Sequence, residues 1–223
     1  YIEQGLGQKY KPLALMFAIS GMIGCTIFFQ ANQLSQIIRE YFYNPSGVFQ
    51  NNILLGDLFT GILVALLVAI VIFGGIKRIA TVASKMVPIM VGIYLFAAII
   101  VLFKNIQDIP SIFILIISDA FSGDAVAGGA IGTVISIGVR RGLFSNEAGS
   151  GTETMAHGAA KTNEPVREGL VAMLGPLIDT IIVCSITAFV ILLSDVYNQE
   201  LNGVSMTVVA FENELGILGK ILI

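Results

Sequence analysis

The sequence predicts an all-α integral membrane protein, and three observations carry that prediction. Hydrophobic residues make up 56% of the 223 and charged residues 12%, against about 45–50% and about 25% in a typical soluble domain. The mean hydropathy is +0.88. The apolar residues are also gathered into runs close to the roughly 20 residues that a helix needs to cross a hydrocarbon core about 30 Å thick. So few charges do not coat a soluble surface, and neither a disordered nor a fibrous chain fits this composition. The net charge of −3 offers no basic face to nucleic acid.

Taken in order, the first run starts at Pro12 and reaches Phe29, with a helical continuation through ANQLSQIIREYF. The second extends from Ile53 to Ile76, and the third from Met86 to Phe103. Ile109–Val139 and Gly169–Ser194 follow, and the tail Met206–Ile223 reads as the start of another span. Pro12, Pro88 and Pro110 are placed in the first turns of their runs, where the missing N–H costs little. The stretch 109–139 is the unusual one. IPSIFILIISDAF and GAIGTVISIGV are each about half a span, and SGDAVAGG between them disfavours continuous helix. Non-helical backbone at membrane depth is tolerated only when buried in protein or lining a watery cavity. The expectation is one discontinuous crossing, with half-helix ends aimed at a substrate or ion. A plain packing helix with a Gly128, Gly132, Ser136 small-residue stripe is the alternative.

Basic residues alternate with the connections. Lys9, Lys11, Lys77, Arg78, Lys85, Arg140, Arg141, Lys161 and Arg167 fall on one side of the alternation, nine of the twelve Lys and Arg. The positive-inside rule makes that side cytoplasmic. NPSGVFQNN and DVYNQELNG, which carry no Lys or Arg, then face outward. The alternation requires 109–139 to cross once, giving five crossings and a sixth begun. A chain opening on Tyr1 and stopping inside GILGKILI reads as an internal piece, with residues 1–223 forming a partial transporter domain incomplete at both ends.

Chemistry is sparse. Cys25 and Cys184 lie in apolar runs, without metal-type spacing, and read as core residues. His157 is the sole histidine and is read as interfacial, with no acidic residue at ligand spacing on its helix face. The sequence has no HExxH and no paired carboxylates on a helix face, so no catalytic residue, no resident metal and no enzyme are expected. Three polar features stand out. Ser145, Asn146 and Glu147 sit in the Gly-rich RRGLFSNEAGSGTETMAHGAAKTNEP, which suits hard-cation coordination or an inner gate; a wet interfacial helix is the alternative. Asp179 lies inside the Gly169–Ser194 run, where an acid costs roughly 2.5–3.5 kcal/mol on insertion scales and wants a partner. It reads equally as an ion or proton site and as one end of an interhelical hydrogen bond. Gln30 and Asn32 follow GCTIFF, and two amides there suit a zwitterion or hold helices together.

At SNEAGSGTETMAHGAAKTNEPVREGLVAMLGPLIDTIIVCSITAFVILL, at IVIFGGIKRIATVASKMVPIM and at Gln30–Asn32, the chain closely resembles the alanine or glycine:cation symporter family of prokaryotes. The resemblance implies a leucine-transporter-type bundle of two inverted five-helix repeats, with this chain as core helices three to seven plus the start of the eighth. It implies Na⁺- or H⁺-coupled uptake of a small neutral amino acid, alanine or glycine, across the prokaryotic plasma (inner) membrane by alternating access, with no resident cofactor. On that reading Gln30 and the backbone of Gly123, Gly128 and Gly129 touch substrate. Asn32, Asp179, Ser145, Asn146 and Glu147 serve the ion, support the site or gate it. The substrate carboxylate site falls on a helix outside this chain. Two departures stand out: Thr26–Ile27 where the family usually reads Gly-Asn, and GSGTET where it usually reads GLGSAP. A passive channel or facilitator, with no ion coupling, is the rival reading.

Overall fold

The computed structural model describes residues 2–24, 28–49, 52–120, 130–145, 147, 152–199 and 201–222, and the regular elements among them are all helical. In chain order they include α1 (Lys11–Gly24), α2 (Phe28–Ile38), α3 (Ile53–Ile72), α4 (Gly75–Lys104), α5 (Ile109–Ala120) and α6 (Ala130–Ser145). Then come α7 (Thr152–His157), α8 (Pro165–Ala172), α9 (Cys184–Leu193), α10 (Val204–Leu215) and α11 (Ile217–Leu222). Two π-helical segments interrupt them: Arg39–Tyr43 prolongs α2, and Leu177–Val183 leads into α9. Four helical stretches, Gln8–Ser46, Ile53–Ile72, Gly75–Lys104 and Pro165–Leu193, are long and apolar enough to cross a membrane.

Local chemistry explains the boundaries. Asn52 caps α3 by accepting the Leu55 N–H at 3.3 Å, which serves one of the orphan donors of a helix start. Thr162 Oγ1 accepts the Glu164 N–H at 3.1 Å, and Pro165 opens α8 where its missing N–H is harmless. The described chain falls into two compact units, one of residues 1–27 with 126–182, the other of 28–125 with 183–223.

The second unit holds the core. Ala97, Ala98 and Val101 of α4, Val190 of α9, Val196, and Ala210 and Phe211 of α10 are fully buried together. Tyr94 meets Phe211 with ring centroids 5.5 Å apart, and its hydroxyl pairs with Thr187. Polar ties fix α10 to its neighbours. Gln33 Oε1 accepts the Val204 N–H at 2.8 Å. Ser205 donates to Glu40 at 2.6 Å, and Gln36 Nε2 reaches both at 2.9 Å. Lys104 and Asn105 both donate to Glu214, at 3.1 and 2.8 Å. Gly203 begins α10 at φ 64°, and a side chain there would collide with Gln33, so only glycine suits the position. Arg39 pairs with Asp57 at 2.6 Å, and Tyr43 with Thr60 at 2.8 Å. These pairs tie the end of the α2 stretch to the start of α3, and the end of α4 to α10.

Two sequence expectations change. Met86 does not open the third helix: α4 starts at Gly75, so Pro88 lies in its interior. Apolar length marks the membrane-embedded part of a helix, whereas Lys77, Arg78 and Lys85 are good helix formers that extend it beyond. The tail is not one continuous run either. Gly216, at φ 65°, separates α10 from α11, and α10 packs Val208, Ala210 and Phe211 into protein. The 109–139 stretch carries α5 and α6, of 12 and 16 residues, each shorter than the roughly 20 residues of a full crossing. Residues 121–129, with Gly123, Gly128 and Gly129, lie outside the described residues.

Candidate functional site

The chemistry of the first unit centres on Asp179. It sits in the π-helical segment LIDTIIV, a geometry rare in helices and frequent at functional sites. Ser145, the last residue of α6, donates its hydroxyl to Asp179 Oδ2 at 2.6 Å. A short bond from a hydroxyl to a carboxylate is of the stronger, charge-assisted kind. The neighbouring Thr180 Oγ1 is buried and has no hydrogen-bond partner among the described residues, which is costly unless something serves it. One carboxylate and one hydroxyl are thus brought together from the π segment and the α6 end. They are hard oxygen donors, the type that hard cations prefer.

The structure brings together Ser145 and Asp179 but not the rest of the expected set. Glu147 is exposed, with φ 57°. Asn146 lies outside the described residues. Gln30 and Asn32 belong to the second unit, both exposed on α2. Among the described residues no group of three or more His, Cys, Asp or Glu is placed to hold a metal ion.

A second polar constellation in the same unit corrects the reading of His157. His157 Nδ1 lies 2.6 Å from Glu168 Oε1, and its Nε2 lies 3.8 Å from Glu153 Oε1. The trio borders a cavity of about 340 Å³, also lined by Thr162, Pro165 and Gly169. The signal was present in the sequence: Glu153 precedes His157 by four residues, and that spacing puts both on one helix face.

Apolar helices long enough to span, with a half-buried acid in a π-helical segment of one of them, define a multi-pass membrane protein. The chain matches the sodium:alanine symporter family over residues 1–223 and belongs to it. An uncharacterized transporter of Haemophilus influenzae is 40% identical over 225 residues, covering 97% of this chain and 46% of the relative. The sodium/alanine symporter AgcS of Methanococcus maripaludis is 40% identical over 224 residues, covering 99% of the chain and 47% of the relative. The probable sodium/glutamine symporter GlnT of Bacillus subtilis is 36% identical over 217 residues, covering 97% and 43%. The chain spans less than half the length of these relatives. Family and helices together make it part of a multi-pass protein of the inner membrane.

Proposed function

We propose that this chain is part of a Na⁺-coupled symporter for small neutral amino acids, alanine or glycine, working by alternating access within a bundle of two inverted five-helix repeats. The observation that carries the reading is the hydrogen bond from Ser145, at the end of α6, to Asp179 in the apolar stretch Pro165–Leu193, in a chain that matches the family over residues 1–223. Burying an acid there is expensive, and intramembrane acids serve ion and substrate pathways. Asp179, with Ser145 and Thr180 beside it, takes the coupling cation or supports its site. Gln30 contacts the amino acid, with Asn32 beside it on α2. Gly123, Gly128 and Gly129 offer backbone groups to the substrate, and Asn146 and Glu147 belong to the gating segment. No resident cofactor takes part. The membrane potential contributes about 2.3 kcal/mol per charge per 100 mV.

The test is uptake of labelled alanine and glycine by the full-length protein in proteoliposomes, with Na⁺ and proton gradients imposed separately. Accumulation driven by Na⁺ alone supports the reading. Equilibration without any ion dependence would replace it with a facilitator, and accumulation driven by protons alone would reassign the coupling ion.

Gln30→Leu should weaken alanine binding by about 1–3 kcal/mol, roughly 5- to 150-fold, because Leu neither donates nor accepts. Gln30 is exposed, so stability should stay within about 0.5 kcal/mol of wild type. Competition of labelled alanine by unlabelled alanine measures the change, and an unaltered affinity removes Gln30 from the substrate site.

Orientation follows from the charges. A cysteine at Ser46 should react with an impermeant thiol reagent added outside intact cells, and one at Thr162 should not. Both positions are exposed, so the contrast reports sidedness. The opposite pattern inverts the topology.

A further inference from the structure

His157 is the only histidine of the chain, and it stands between carboxylates from two helices. Glu168 Oε1 on α8 lies 2.6 Å from Nδ1, and Glu153 Oε1 on α7 lies 3.8 Å from Nε2. An ionised carboxylate only accepts, and a neutral imidazole has a single N–H. If a neutral ring donates from Nδ1 to Glu168, its Nε2 lone pair faces the oxygen of Glu153, and two acceptors repel. An imidazolium donates from both nitrogens and serves both acids. The geometry is matched to the protonated ring.

We propose that Glu153, His157 and Glu168 form a proton-binding clasp that holds α7 against α8 when His157 is charged and releases it when the proton leaves. Glu168 is carried by α8 itself, and Glu153 is lodged against the backbone at Gly175, where an added Cβ would lie 2.5 Å from its Oε1. Loss of the proton therefore leaves two acids facing an uncharged ring. The side chains of the trio are 22–27% exposed, which lessens solvent screening without abolishing it. The cavity beside them gives water, and so protons, access to the ring.

The remaining charges of this hairpin do not offset the acids. Lys161 is exposed in the turn between the helices. Arg167 lies 4.0 Å from Glu164, both largely exposed. Histidine is the side chain that ordinarily changes charge between pH 5 and 8. Because the clasp needs the cation, protonation closes it and loss of the proton opens it. The hairpin also lies on the stretch of chain between Ser145 and Asp179, so cytoplasmic pH would act on the connection that brings those two residues together.

The inference does not depend on which solute is carried, and its readout is structural. Hydrogen exchange of the full-length protein, followed by mass spectrometry at about pH 6 and about pH 8 and corrected for intrinsic rates, should show protection of residues 153–172 falling about fivefold across the range in which histidine titrates. His157→Gln and Glu168→Gln should each remove that pH dependence, and His157→Lys, a permanent cation, should keep the protection at the higher pH. Should His157→Gln not fold, Glu168→Gln carries the same test, because its amide still accepts the Nδ1 hydrogen bond but brings no charge. Wild-type protection that is equal at the two pH values overturns the clasp, as does a pH dependence in Glu168→Gln as large as in wild type.

Discussion

Asp179→Leu is expected to abolish cation-driven uptake, whereas Asp179→Asn should fold normally and transport at least about tenfold more slowly. The two variants separate the charge of Asp179 from its hydrogen bond. Asparagine keeps an oxygen that accepts from Ser145, 2.6 Å away in the wild type, but removes the negative charge that would attract a cation. Leucine removes both, so Ser145 loses its bond to Asp179. Losing a hydrogen bond to a charged group costs about 1.5–3 kcal/mol. Ser145 ends α6, so its hydroxyl can turn to a carbonyl of its own helix and recover part of that. The stability loss should therefore sit toward the low end of the range while the transport loss is complete. Adding Ser145→Ala to Asp179→Leu should cost less than the sum of the single changes, because the two residues share one bond. Uptake assays and thermal unfolding in detergent measure the pair. Wild-type uptake by both Asp179 variants would show the acid to be dispensable.

Much of the fold was legible because hydropathy in a membrane chain answers to a single solvent. The runs beginning at Pro12, Ile53 and Gly169 appear as helices with ends a few residues from those read in the sequence. Pro88 was misplaced because hydropathy stops at the interface and the helix does not: Lys and Arg continue α4 back to Gly75. The tail was misread for the opposite reason. Gly216 divides it, a turn that composition alone conceals, and the apolar residues of α10 serve a protein core while Ile217 and Leu218 of α11 stay exposed.

The site was legible by residue type and not by partnership. Asp179 stood out because an acid in an apolar run is costly, but Ser145 is 34 residues away along the chain, and nothing in either local sequence names the other. Ser205 and Glu40 are 165 residues apart, which places their bond equally beyond pattern reading. The pairing of His157 with Glu153, by contrast, was available from the i, i+4 spacing alone. The two acids at His157 do not make a metal site: Glu168 Oε1 lies within hydrogen-bond distance of Nδ1, and Glu153 faces Nε2 from 3.8 Å.

The largest loss of stability is expected from Phe211→Ala. Phe211 is fully buried in α10, where it meets the Tyr94 ring and the α4 and α9 residues Ala97, Ala98, Val101 and Val190. Alanines on α4 leave room for a large ring from α10, so no neighbour is long enough to fill the space if the ring is removed. Replacing a buried Phe by Ala costs about 3–5 kcal/mol, as lost transfer energy plus the cavity left behind. Phe73→Ala is the matched control: the same atoms are deleted from a residue that is 90% exposed, and the change should stay within about 0.5 kcal/mol. Phe211→Leu should fall between them, since it fills part of the hole. The comparison also bears on what α10 does. Its polar ties to Gln33, Glu40 and Lys104 fix its position, and each is worth about 0.5–3 kcal/mol net, so the apolar contact of Phe211 outweighs any single one of them. Unfolding of detergent-solubilised full-length variants by heat or denaturant reads the order directly. If Phe211→Ala proves as harmless as Phe73→Ala, α10 is held by its polar ties, and Ser205→Ala rather than Phe211→Ala should then detach it.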